Sequence, residues 1–138
     1  FPNQIVGVKD SSYNLFETLK INNFSILIGS ETKLLKGLEL GCSGIITATC
    51  NVTAELARKV YDDFIAQNDQ TVNQKLCDVR NLFEKYNLIS GLHTYFGKNN
   101  AFYENLLPPL SILNTQEVEE LNDCLEKLNF STKSCLAA

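Results

Sequence analysis

The run Ile5-Val6-Gly7-Val8-Lys9-Asp10-Ser11-Ser12 constrains the fold more than any other stretch. Its apolar part is too short for a helix and rich in β-branched residues. It ends at a lysine, with two hydroxyl residues and a helical pattern directly behind. This predicts a buried strand over 4–9 that delivers an amine at its C-terminal tip. Strand side chains alternate faces, so Lys9 shares a side with Gly7 and Ile5, while Val6, Val8 and Asp10 face the other way. Gly7 would leave volume beneath the lysine stem, and Asp10, on the opposite face, need not pair with the ammonium. A lysine that attacks a carbonyl must be neutral part of the time, and burial among apolar groups disfavours its charged form. Taken alone, the octapeptide reads more simply as a solvated lysine at a strand end, beside a helix cap made by Ser11 or Ser12.

The pattern then repeats. Leu15, Phe16 and Leu19 predict a helix over 14–20, and Phe24 to Ile28 a second strand with Gly29 as its stop. Ser30 reads as the N-cap of a helix over 31–40 that buries Leu34, Leu35 and Leu38, with Gly41 just past its end. Ile45 to Ala48 reads as a third strand. Each strand-plus-helix unit takes about 20 residues, a spacing suited to parallel βα units. After Asn51 the pattern is helical only: Leu56, Val60 and Phe64 mark 52–67, and Val72, Leu76, Val79 and Phe83 mark 72–86. A further helix is expected over 89–104, although Gly91 and Gly97 interrupt it. Pro108-Pro109 predict an extended connection over 106–113. Asn114 and Glu117 have the spacing of a capping box before a last helix built on Val118, Leu121, Leu125 and Leu128. Residues 131–138 read as a frayed tail.

The 138 residues carry a formal net charge of −4 and are 44% hydrophobic, which suits a globular segment with a core of its own. The acidic balance and the lack of a basic cluster argue against a nucleic-acid partner. No apolar run approaches a membrane span and no signal peptide opens the chain. A start at Phe1, with no methionine anywhere, reads as a piece of a longer protein. Cys42, Cys50, Cys77, Cys124 and Cys135 form no C-x-x-C pair and leave one thiol unmatched, which points to reduced thiols and a cytoplasmic protein. Three N-x-S/T triplets, at Asn23, Asn51 and Asn129, stand against that placement. No His, Cys, Asp and Glu cluster has metal-ligand spacing, and no cofactor is implied.

Gly-Val-Lys-Asp-Ser-Ser at 7–12, Ile-Gly-Ser-Glu at 28–31, and Gly41-Cys42-Ser43-Gly44-Ile45-Ile46-Thr47-Ala48-Thr49-Cys50-Asn51-Val52 together resemble the dihydrodipicolinate synthase/N-acetylneuraminate lyase family. Pro108-Pro109-Leu110 before a final acidic helix resembles the family's C-terminal end. The resemblance implies an α/β fold: strands 6–8 of a (β/α)8 barrel over 1–67, then a C-terminal helical extension over 68–138. A whole barrel of this kind takes about 250 residues. Strands 1–5 would then be absent, and with them the family's proton-relay tyrosine and its carboxylate-binding hydroxyl loop. The missing N-terminal half of the barrel is therefore an expected partner, and the family suggests a homo-oligomer, a tetramer.

The family's chemistry is that of class I aldolases: a lysine amine forms an imine with a keto acid, pyruvate, and the resulting enamine meets an aldehyde. Lys9 is the matching catalytic residue. Gly29, Ser30, Glu31 and Ile46 match substrate-contacting positions; alternatively, Gly29 is a plain turn, Ser30 a cap and Ile46 core. Asn51 reads first as a helix N-cap and second as a site residue. His93, the only histidine, reads as a satisfied helical residue, and Tyr95, Phe96, Phe102 and Tyr103 as packing of the C-terminal helices or a subunit contact. Tyr13 stands where the family commonly has a small residue. The Gly-Ser-Glu-Thr at 29–32 replaces the Gly-Asp-Asp of lysine-biosynthesis members and sits closer to sugar-acid aldolases such as 2-keto-3-deoxygluconate aldolase. Two other classes fit less well: a noncatalytic barrel scaffold, and a doubly wound binding or signalling module.

Overall fold

Three strands, β1 (Gly7–Asp10), β2 (Ser25–Ile28) and β3 (Gly44–Ile45), pair in parallel in chain order. The structure, a computed structural model, describes residues 1, 3–12 and 14–132; the expectation for Tyr13 and most of the predicted tail, Cys135 included, lie outside them. The strands belong to the first of two compact units, Phe1–Cys77 and Asp78–Ala138. Among the described residues no helix is long and apolar enough to cross a membrane.

In the first unit the helices α1 (Leu15–Thr18), α2 (Leu34–Glu39) and α3 (Cys50–Ile65) follow the strands one by one. Phe16, Ile26, Ile28 and Cys42 form one buried cluster, joined by Val8 and Ile45, which sets all three strands against α1 and the turn that follows α2. Leu34, Leu38, Ala57, Val60 and Leu76 form a second cluster between α2, α3 and the helix α4 (Asn73–Glu84). The alternation of the strands is thus realised, with Val8, Ile26, Ile28 and Ile45 turned to the helices. Gly41, at φ +88°, ends the α2 turn in the left-handed region that suits glycine.

Several boundaries move. The first strand covers Gly7–Asp10 rather than 4–9, and Ile5 and Val6 are exposed, at 57% and 63%. The expectation of a buried strand is therefore corrected: β1 lies at the edge of the sheet, and of its residues only Asp10 is fully buried. The helix expected over 31–40 opens with a 3-10 turn, Glu31–Lys33. The third strand is two residues long, so 46–49 form an irregular corner before α3.

In the second unit α5 (Leu88–Gly97), a 3-10 turn (Ala101–Glu104) and α6 (Thr115–Lys127) surround Val79, Leu82, Phe83, Leu92, Tyr95, Leu121 and Leu125, all buried. The single helix expected over 89–104 is split: α5 stops at Gly97, and Asn100 starts the 3-10 turn by accepting the Phe102 amide at 3.0 Å. The connection expected to be extended over 106–113 instead turns at the cis Pro108-Pro109 peptide, where the Leu110 amide donates to the Leu107 carbonyl at 3.1 Å, and its end is pinned by the Leu113 amide donating to Thr94 Oγ1 at 2.9 Å. The predicted capping box of α6 is present in both directions.

Candidate active site

The C-terminal ends of the strands gather the polar residues of the first unit. Register places Lys9 beside Leu27, and Leu27 beside Gly44, in one row across the sheet. This row lies on the face opposite the Val8, Ile28 and Ile45 cluster, as strand alternation requires. Lys9 is exposed. The expected apolar seat for its amine is thus not formed around Lys9 among the described residues of the first unit. Nor does Gly7 leave room beneath the stem. A Cβ there would lie 2.7 Å from the Ser25 carbonyl oxygen, so the glycine lets β2 approach.

Asp10 takes the opposite face and is fully buried. Its Oδ1 accepts the Ser12 amide at 2.9 Å and the Ser12 hydroxyl at 2.6 Å, and its Oδ2 accepts the Leu15 amide at 2.9 Å. Burial by itself would raise the carboxyl's pKa. The bonds from Ser12, Leu15 and Phe16 together outweigh it and hold Asp10 below the usual carboxylate range. It is Asp10, not Ser11 or Ser12, that holds the start of α1. Its backbone carbonyl also accepts the Gly29 amide at 2.9 Å, which joins the tips of β1 and β2.

Gly29, Ser30 and Glu31 follow β2, and all three are buried. Ser30 caps nothing with its side chain; its Oγ lies 3.0 Å from Thr32 Oγ1. Glu31 is fully buried, and its Oε1 accepts hydroxyls from Thr47 at 2.5 Å, Thr49 at 2.5 Å and Thr53 at 3.1 Å. All three donors come from the corner between β3 and α3 or from the first turn of α3. Sequence reasoning missed these threonines; the signal was Thr-x-Thr-x-x-x-Thr over 47–53, spaced to reach one acceptor at a helix start. Burial pushes the nearby Cys50 thiol above its ordinary range, and the Glu31 carboxylate adds in the same direction.

Ile46 is 48% exposed on the Lys9 side, and its amide donates to the Ile28 carbonyl at 3.0 Å. Asn51 is not the N-cap of α3; Thr49 holds that position, and the Asn51 Nδ2 donates back to the Ala48 carbonyl at 2.8 Å. His93 belongs to the second unit. Its Nδ1 is 2.5 Å from the Tyr103 carbonyl, and its ring meets Tyr103 edge-on. Among the described residues no group of three or more His, Cys, Asp or Glu side chains comes together to hold a metal.

Parallel strands in series, each followed by a helix, with polar groups at the strand C-termini, define a protein of the parallel α/β class. Within it, this chain belongs to the Dihydrodipicolinate synthetase family, whose profile matches residues 2–128. A 4-hydroxy-tetrahydrodipicolinate synthase of Buchnera aphidicola subsp. Cinara cedri is 32% identical over 89 residues, covering 59% of this chain and 30% of the relative. A 2-dehydro-3-deoxy-D-gluconate/2-dehydro-3-deoxy-phosphogluconate aldolase of Picrophilus torridus is 28% identical over 114 residues, covering 77% of this chain and 42% of the relative. Among solved structures, a monomeric dihydrodipicolinate synthase variant superposes with a TM-score of 0.81 at 16% identity, over 94% of this chain and 47% of its own. The chain spans less than half the length of these relatives.

Proposed function

We propose that this chain carries the lysine end of a Schiff-base-forming aldolase, lyase or synthase that uses pyruvate and an aldehyde. In this reading β1 to β3 are strands 6–8 of a (β/α)8 barrel, closing near residue 67, and residues 68–138 are its helical extension. The observation that carries the reading is the placement of Lys9. It stands at a strand tip, in a row with Leu27 and Gly44, while the neighbouring carboxylate of Asp10 is turned away and already engaged by Ser12 and Leu15.

The amine of Lys9 adds to the C2 ketone of pyruvate and loses water to give an imine. The protonated imine draws electrons from the methyl carbon, a proton leaves, and an enamine forms. The enamine adds to the aldehyde, and water releases the product; carbon–carbon cleavage is the reverse. Ile46, on the same open side, borders the substrate, and Gly29 and Ser30 close the base of the site at the tip of β2. Desolvation favours a neutral amine, so this chemistry needs the Lys9 face covered. Five preceding βα units would supply that cover, and a cytoplasmic enzyme is the setting that reduced thiols suit.

Borohydride trapping with pyruvate, on the chain assembled with its N-terminal barrel portion and read by peptide mass spectrometry, tests the reading. The expected adduct is on Lys9. Reduction onto another lysine, or no adduct with any of several keto acids, overturns it. Lys9→Arg should abolish turnover and leave the fold intact, because arginine stays charged and forms no imine.

A further inference from the structure

Glu31 is a fully buried acid beyond the C-terminal end of β2 that the imine chemistry leaves unused, as Asp10 is at the end of β1. Its carboxylate comes from the residue group just after β2, and its three hydroxyl donors come from the next strand's exit. Thr49, the N-cap residue of α3, makes no cap bond with its own side chain, and its hydroxyl donates to Glu31. Thr47 relays a second contact: its Oγ1 accepts the Cys50 amide at 3.0 Å while its hydroxyl donates to Glu31. A carboxylate held at the start of a 16-residue helix also meets the positive end of the helix dipole. The acid thus ties the β2 exit to the β3 exit and fixes where residues 46–49 leave the sheet.

We infer that Glu31 is a positioning residue that braces the corner between β3 and α3 on the Lys9 side, and not a ligand of the second substrate. To reach a substrate the carboxylate would have to turn outward and give up the buried Thr49 hydroxyl, a costly exchange, whereas the Thr53 hydroxyl keeps the Thr49 carbonyl at 2.9 Å as its acceptor. The catalytic consequence rests on the imine reading of Lys9; the brace itself does not.

Hydrogen exchange at the amides of Cys50, Val52 and Thr53 in this chain tests the brace directly. Glu31→Ala should speed exchange there by about tenfold or more, the scale of one lost buried bond. Glu31→Gln keeps one carbonyl acceptor and should fall between Glu31→Ala and the natural chain. Thr49→Val removes a single donor at nearly constant shape; it should show a smaller rise and decides the question should Glu31→Ala not fold. Unchanged exchange at 50–53 in Thr49→Val and in any folded Glu31 variant overturns the proposal. In the assembled enzyme, trapping with pyruvate alone, with no aldehyde present, should slow in Glu31→Ala and be largely rescued in Glu31→Gln. A ligand of the second substrate would instead leave pyruvate trapping untouched and raise KM for the aldehyde in both variants, which also overturns it. Should the natural enzyme trap no pyruvate, the Lys9 reading fails, and the exchange data still judge the brace.

Discussion

The two units start their helices by opposite means. In the second unit the caps are local. Asn87 accepts the amides of Ile89 and Ser90 at 3.1 and 3.2 Å, and Asn114 exchanges bonds with Glu117, three residues on. In the first unit the N-cap residues of α1, α2 and α3 make no side-chain cap bond, and where a local oxygen does serve, Thr47 Oγ1 accepting the Cys50 amide, that threonine in turn donates to Glu31. Instead α1 is held by Asp10, five residues before Leu15 at the end of β1, and the start of α3 is linked to Glu31, 18 residues before Thr49. A local cap stabilises one helix. A carboxylate at a strand end fixes a helix and a strand together, so the C-terminal rim of the sheet is set as one piece.

Four substitutions probe this contrast, in descending size. Glu31→Ala should cost about 3 kcal/mol in denaturant unfolding of the chain, because the buried Thr49 hydroxyl loses its acceptor and the bonds from Thr47 and Thr53 go with it; a loss smaller than that of a local cap would break the comparison. Asp10→Asn should cost about 1–2 kcal/mol at neutral pH through its weakened bonds to Ser12 and Leu15. Because the folded state holds Asp10 below its ordinary value, its contribution is full above the unfolded value and fades as pH falls through the folded one. Unfolding curves of the natural chain and Asp10→Asn should therefore converge in acid, from about pH 4 downward. A gap independent of pH would show that the ionised form is not what matters. Asn114→Ala should cost about 1 kcal/mol and show its effect in the amide exchange of α6. Arg58→Ala removes an exposed i,i+4 pair with Asp62 on α3, away from its start, and should leave the unfolding midpoint where it was.

The same contrast separates what could be read in the sequence from what could not. The order of βα units and the cap at Asn114 and Glu117 follow from spacing within a few residues, and both are present in the fold. Ser30, Ser11 or Ser12 and Asn51 have the residue types of caps; Ser30 does hold the N-cap position before Glu31, but none of them bonds a helix start with its side chain. Asp10 holds the start of α1 from the end of β1, and Glu31 reaches the start of α3 across 16 to 22 residues, a separation that no short window along the chain contains. The split at Gly97 had a signal in its glycines. The open seat of Lys9 had none, because an apolar run at a sheet's flank and one at its centre have the same composition. Lys9, Gly29, Ser30, Glu31 and Ile46 all lie at the C-terminal ends of β1 to β3 or just beyond, and position along the chain is enough to place them there. Which of them point outward is decided by packing: Ile46 does, whereas Ser30 and Glu31 are turned in.

Residue 7 carries a lesson for anyone reshaping the lysine face. With the Ser25 carbonyl 2.7 Å from where a Cβ would sit, any side chain there wedges the first two strands apart and carries Lys9 with them. The height of the amine over the sheet is therefore set two residues upstream, by an absence. Redesign of this surface has its freedom at Leu27 and Ile46 and almost none at Gly7.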